Sequence, residues 1–403
     1  MEKSISNSSD LNFYFDYNAT SPLASSVQQA FSSGEFYFAN PSSQHRWGKK
    51  SKKYLIDTED FLFDFFKLEP EKFDLVFHSG ATEGINHFFK VSAENDFFQQ
   101  KKSLFVMLET DHSAVVQQAT MLERLNHRVL FIKCNRTGEI QEESWENFLQ
   151  LQYNFEQVYF NVSLINNETG FVFSLEKYQK LTKLPQVYLH IDAAQLPFKL
   201  ENWQVLPDHF KMITFSGHKF GALFGTGFSF IQKNFLDRAL ITGGGQQSNL
   251  RSGTINIQGV VSLKLAMEEK LLEIQATRNS KSGEQNCREI RDKIWDMLAK
   301  KYPQIQLVSS KEHLNTNTIC TVFPAGFNAD FVLMKFDLAG VSVSNGSACS
   351  SGIAKINRIL KAQGFSDQEA SSGIRFSFNP SMSKEQGELY LEKIDQILAS
   401  LFL

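Results

Sequence analysis

The 403-residue chain reads as an α/β protein. It should form a mainly parallel, seven-stranded sheet covered by helices, followed by a smaller α+β C-terminal domain. Three observations predict this. Short apolar runs recur at residues 75–77, 104–108, 129–132, 158–162, 187–191, 212–215 and 228–231. Segments with helical spacing of apolar residues lie between most of them, for example 83–92, 114–125 and 175–184. The runs themselves are β-branched or aromatic nearly throughout, the pattern of strands buried on both faces. In such sheets a ligand lies beyond the carboxyl ends of the strands.

Taken in order, the chain opens with a polar tail, then Phe13-Tyr14-Phe15-Asp16-Tyr17, an aromatic strand running into a turn at Asn18–Pro22. Phe38–His45 is a Pro-anchored loop before a basic amphipathic helix. After the seven runs, Gly243-Gly244-Gly245 marks a loop where backbone approaches something closely. From Gln258 a long helical pattern connects to the second domain. There the reading gives a helix at 287–301, strands near 305–308 and 319–323, a helix at 329–339, a strand that Arg375 ends and an amphipathic terminal helix. The division follows: an N-terminal arm (1–22) packing with the small domain, a large domain (23–260), and a small domain (261–403).

Composition narrows the function classes. A net charge of −3 gives no electrostatic footprint for nucleic acid or a membrane surface. No apolar run reaches membrane-spanning length. The four cysteines, Cys134, Cys287, Cys320 and Cys349, are widely spaced and form no metal-ligand pair, which reads as reduced thiols in a cytoplasmic protein. The 38 phenylalanines are an unusually large number, and clusters such as Phe61–Phe66 read as core packing.

The polar residues that matter fall at successive strand ends. His78-Ser79-Gly80-Ala81-Thr82-Glu83 is a small-residue turn opening a helix, with free N–H groups and a hydroxyl for one phosphate. His112, after the next strand, can stack on a planar ring. Asn166-Asn167 follows the fourth run with amides for ring or substrate oxygens. Asp192 ends the fifth; a carboxylate there is costly unless it meets a cation, and a protonated pyridine nitrogen is one. Gln195 is placed for a ring hydroxyl. Ser216-Gly217-His218-Lys219 ends the sixth, delivering an amine whose desolvation favours a Schiff base. Together these are the groups pyridoxal 5'-phosphate requires. Downstream, Cys349 lies amid Gly, Ala and Ser, a setting for an accessible, reactive thiol. Arg375 ends a strand as a carboxylate fork.

The chain also resembles the cysteine desulfurases, fold-type-I pyridoxal phosphate enzymes of the class V aminotransferase group. The matching segments run in the family's order: Asp16–Thr20, Asn40–Ser43, Ser79–Glu83, Asn166–Gly170, His190–Gln195, Ser216–Lys219, Gly243–Gln246, Arg251–Thr254 and Gly346–Cys349. The Gly-Ser-Ala-Cys-Ser-Ser loop looks like the NifS/IscS-like branch. The resemblance implies a homodimer acting on L-cysteine, with Lys219 and Cys349 catalytic and His112 stacked on the ring. Asp192 would hold the pyridinium, Gln195 the ring hydroxyl, and Ala81, Thr82, Ser216 and His218 the phosphate, with Thr254 arriving from the other subunit. Asn18, Asn167 and Arg375 would contact the substrate.

The products implied are L-alanine and a persulfide on Cys349, passed to an acceptor protein of iron–sulfur cluster assembly or tRNA thiolation. An aminotransferase or selenocysteine lyase of the same fold, or a partner-binding scaffold, are the competing readings. One segment departs from the family. Where it usually continues after the first Arg with Ser-Leu-Gly-Arg, this chain has Phe376-Ser377-Phe378-Asn379-Pro380.

Overall fold

The structure, a computed structural model, describes residues 13–34, 38–207, 209–276, 283–346 and 356–403. Cys349 lies outside these residues. Helices α1 (Ser25–Ser32) and α2 (Arg46–Phe66) precede the sheet. Then come β1 (Phe73–His78), α3 (Ala81–Phe98), β2 (Leu104–Leu108), α4 (Ser113–Val116), α5 (Ala119–Arg124) and β3 (Arg128–Ile132). They are followed by α6 (Glu142–Leu151), β4 (Val158–Ser163), α7 (Leu175–Leu181), β5 (Val187–Asp192), β6 (Met212–Ser216) and β7 (Gly227–Gln232). The seven strands form one sheet in the order β1-β7-β6-β5-β4-β2-β3.

Pairing is parallel from β3 through β6, whereas β7 runs antiparallel to both β6 and β1. Strand β7 therefore begins where its neighbours end: Gly227 pairs with Ser216 on one side and His78 on the other. A Cβ at Gly227 would stand 2.6 Å from Phe215 O and 2.9 Å from Gly80 Cα. Only a glycine lets these three ends close into one floor.

Alternation sets the two faces. Leu104, Val106 and Leu108 point into a core with Leu62, Trp145 and Phe160, on the side of α2 and α6. Phe105 and Met107 point the other way, among Ile85, Phe88 and Phe89 of α3. The expected helix at 114–125 is broken in two. Gln118 Nε2 donates to Ala114 O at 2.9 Å, the carbonyl its own N–H would take in a continuous helix, and that N–H bonds Val115 O instead.

Helix α8 (Ile257–Ala276) follows the sheet, and its Val260, Leu263, Ala266 and Met267 lie in the large core. The expected division at 260 thus falls in this helix's first turn. The C-terminal region contains α9 (Gly283–Lys301), β8 (Gln306–Val308), β9 (Thr318–Val322), α10 (Ala329–Leu338), α11 (Arg358–Ala362), α12 (Asp367–Ala370), β10 (Gly373–Ser377) and α13 (Lys384–Leu401). Its three strands form an antiparallel sheet, β10-β9-β8.

The aromatic N-terminal segment is not a ladder strand. It makes two single bridges, Tyr14 to Ser342 and Asp16 to Ser377. Phe15, fully buried, packs edge-on against Phe378 and Tyr390. The segment that departs from the family thus supplies the aromatic seat of the arm, and Ser377 Oγ accepts the Asn18 N–H at 3.0 Å.

Candidate active site

The ends of β1, β4, β5 and β6, the arm and β10 converge on Lys219. Its Nζ donates to Asn18 O and Ala19 O, both at 2.7 Å, so it is held by neutral carbonyls. Desolvation and then the Arg375 charge pull this amine down to about 8. Asp192, at the end of β5 and 8% exposed, accepts one hydrogen bond from Ala194 N–H at 3.0 Å. No ion pair to it occurs among the described residues. Burial raises its pKa, against the pull of Ala194 N–H, His112 and Lys219.

His112 is the N-cap of α4, its Nδ1 accepting from Ala114 N–H at 3.1 Å. That bond leaves the proton of the neutral ring on Nε2. The ring is open to the space above the strands, and desolvation lowers its pKa while Asp192 acts the other way.

The turn after β1, expected from the sequence to hold a phosphate, opens α3. Gly80, at φ +148°, precedes α3 with no side-chain cap, and Ala81 and Thr82 N–H have no partner among the described residues. A Cβ on Gly80 would face Ser216 Oγ at 3.8 Å. His218 lies beside them, Nδ1 3.3 Å from Thr20 Oγ1, with its ring stacked on Phe224. Desolvation, then Lys219 and Lys199, bring its pKa down to about 4, so it is neutral. Thr254 is exposed and no hydrogen bond ties it to this cluster among the described residues; its loop is anchored by Arg251, whose Nε donates to Glu83 Oε1 at 2.9 Å.

At the opposite end most donors are already engaged, although the buried Arg375 Nε has no partner among the described residues. Arg375, 4% exposed, pairs with Asp16 at 2.5 Å and Glu168 at 3.1 Å and donates to Asn167 O at 3.0 Å. Asn167 Nδ2 donates to Glu168 Oε1 at 2.7 Å. Asn18 gives both amide hydrogens to the protein, to Asn167 O and Thr318 Oγ1, leaving its buried Oδ1 without a partner. Gln195 Nε2 donates to Asn18 O at 2.9 Å. Sequence reasoning quoted Asp16 and Glu168 as motif members and gave them no role; they are the counter-ions of Arg375.

A second feature was missed entirely. Strands β1, β7, β6, β5 and β4 each contribute one polar residue, and these join into a buried chain that ends on Asp111, just beyond β2. Gly80 N–H donates to His78 Nδ1, which leaves the proton on Nε2 to bond Ser229 Oγ at 2.8 Å. The chain continues through Thr214 (2.9 Å) and His190 (2.9 Å) to Asn161 Oδ1 (2.7 Å). Asn161 Nδ2 then donates to Asp111 Oδ2 at 2.9 Å. Both ends impose the same direction, with every donor pointing toward the Asp111 carboxylate. Burial, and after it His78, keeps the His190 pKa down to about 3. Gly84 of α3 rests on this chain: a Cβ there would meet the Thr214 side chain at 2.5 Å. The signal was present as one Asn, His, Thr or Ser in or just beside five of the otherwise apolar runs: His78, Asn161, His190, Thr214 and Ser229.

The family model for aminotransferase class-V matches residues 13–389. The chain belongs to the class-V aminotransferase family. Among curated members, it is 26% identical over 393 residues to a cysteine desulfurase IscS of Dictyoglomus turgidum, covering 96% of this chain and 95% of that one. It is 27% identical over 405 residues to the cysteine desulfurase IscS of Escherichia coli O139:H28, covering 97% and 94%. Among solved structures, a NifS-like protein superposes with a TM-score of 0.79 at 25% identity, covering 97% of this chain and all of that one. A second, SspA in complex with cysteine, gives 0.72 at 25% identity, covering 91% and 99%. These class-V folds share the architecture described above: the mostly parallel seven-stranded sheet and the small antiparallel one.

Proposed function

We propose that the protein is a pyridoxal-phosphate-dependent cysteine desulfurase. It would convert L-cysteine to L-alanine and leave the sulfur as a persulfide on Cys349, for delivery to an acceptor protein. The observation that carries the reading is Lys219: an amine lowered to about 8 and held only by backbone carbonyls, in the field of a buried Asp192 that lacks an ion-pair partner.

The residues present fit the coenzyme. The uncapped start of α3, where Ala81 and Thr82 N–H have no partner among the described residues and a Cβ on Gly80 would stand 3.8 Å from Ser216 Oγ, suits a phosphate. Asp192 would hold a protonated ring nitrogen, which relieves the cost of its burial. His112 offers an open ring for stacking, and Gln195 an amide for the ring oxygen. When bound, the coenzyme supplies an electron sink that makes the substrate's α-proton acidic. Lys219 is the group placed to take and return that proton, and an amine near pKa 8 is matched to the task. Arg375 and Asn167 would orient the substrate carboxylate. The Cys349 thiolate takes the sulfur atom as the cysteine C–S bond breaks, and the substrate's β-carbon takes a proton to become the alanine methyl.

The IscS relatives and the NifS-like neighbour support this activity, as does the Gly346-Ser347-Ala348-Cys349 sequence. A homodimer is part of the proposal. Phe38 and Phe224 are 83% and 71% exposed, the latter beside His218, where a second subunit would cover it. No helix among the described residues is long and apolar enough to cross a membrane.

The test is alanine and sulfide release from L-cysteine with a thiol reductant, in the wild type and Cys349→Ala. Both products in the wild type and neither in the variant is the expected result. Alanine formation undiminished in the variant would overturn the role of Cys349.

A further inference from the structure

Lys199 is a second lysine of the site, and nothing in the proposed reaction uses it. It is fully buried, four residues beyond Gln195, in the seam between the arm and the large domain. Its Nζ donates to Gln195 Oε1 at 2.5 Å and to Tyr17 O at 3.2 Å. Among the described residues no carboxylate pairs with it. Desolvation, then the charges of Lys219 and Arg375, push its pKa well below the usual lysine value. Both acceptors of Nζ are neutral oxygens, and Lys199 meets each as a donor.

We propose that Lys199 is a positioning residue that fixes the side-chain amide of Gln195, so that its NH2 group, not its oxygen, faces the ring oxygen of the coenzyme. The inference rests on the reading of Gln195 as the ring-hydroxyl contact. The amide has one satisfactory orientation. Oε1 accepts from Lys199 while Nε2 donates to Asn18 O. The reversed amide would set its oxygen against Asn18 O and its hydrogens against those of Lys199. Asn18 O also receives Lys219 Nζ, so the amide orientation is set beside the reacting amine. Without Lys199, Oε1 loses its donor, and of these two contacts only the bond from Nε2 to Asn18 O still opposes the amide turning its oxygen toward the coenzyme's oxygen.

The test uses protein reconstituted with pyridoxal phosphate and follows the pH midpoint of its visible absorbance. An N–H donor at the ring oxygen stabilises the phenolate once the neighbouring imine nitrogen loses its proton, which lowers that midpoint. Lys199→Met, similar in length and unable to donate, is expected to raise it by about one unit. Gln195→Leu should raise it as well, and the double variant no further than Gln195→Leu alone. Should Lys199→Met fail to fold, Lys199→Gln carries the same prediction, since its amide ends one bond short of Gln195 Oε1. A midpoint unmoved at 199 but raised at 195 overturns the role of Lys199 and leaves Gln195 standing. Midpoints unmoved in both overturn both assignments. Equal shifts that add in the double variant also overturn it, because the two residues would then act independently.

Discussion

The two ends of the site are prepared in opposite ways. At the proposed phosphate end, Ala81 and Thr82 N–H at the start of α3 and Ser216 Oγ near Gly80 have no hydrogen-bond partner among the described residues. At the carboxylate end Arg375 is already gripped by Asp16, Glu168 and Asn167 O. The difference follows from what each end would hold. Exposed N–H groups at a helix start cost little while water serves them. A buried guanidinium without counter-ions costs several kcal/mol. On the proposed reading a coenzyme phosphate would stay through many turnovers, and donors left unpaired by the protein suit it. Substrate comes and goes, and internal carboxylates keep Arg375 compensated between visits. The cost is competition, because an incoming carboxylate must share Arg375 with two others.

Four experiments would break or sharpen this contrast. The largest effect is expected from Arg375→Met, which strands Asp16 and Glu168 without their cation. It should destabilise the fold by about 3–5 kcal/mol, read as a lowered denaturation midpoint. A midpoint close to wild type would mean the carboxylates do not depend on Arg375. Next comes the capture of coenzyme by Lys219. The neutral amine is the reactive form and prevails above a pKa of about 8. The rate of reconstitution should therefore rise about tenfold per pH unit below that value and level off above it. A rise continuing past pH 9.5 would show an ordinary lysine.

Ser216→Ala tests the free end. Loss of one hydroxyl donor to a charged phosphate should weaken coenzyme retention by about tenfold, measured as dissociation during dialysis, with the fold unchanged. The smallest effect is expected from Glu168→Gln. Removing one negative charge beside Arg375 should lower the KM for L-cysteine by roughly two- to threefold. A raised KM would show that Glu168 aids substrate binding and does not compete with it.

Much of the fold was legible because the strands are buried on both faces. Runs such as 104–108 and 158–162 are mostly apolar on both faces, and the structure ends those strands within two residues of the sequence reading. The strand-end residues were legible for the same reason: a Ser, Asp or Lys that follows a buried run has one place to be. The aromatic run at 13–17 misled because its spacing fits a strand. Its partners, Ser342 and Ser377, come from distant segments and offer single bridges, not a ladder. The helix at 114–125 misled because Gln118 competes for its own helical carbonyl.

The sequence by itself determined the sheet, the strand ends and the chemical kinds of group gathered there, since apolar burial and local turn chemistry act over a few residues. Only the tertiary structure decided the pairings. Asp16 meets Arg375 across 359 positions, Lys199 meets the carbonyl of Tyr17 across 182, and the polar residues of β1, β4, β5, β6 and β7 become one directed chain. Each of those groups is buried at a free-energy cost that only a specific partner offsets. Which partner is near enough is fixed by how the strands are ordered, not by their spacing along the chain.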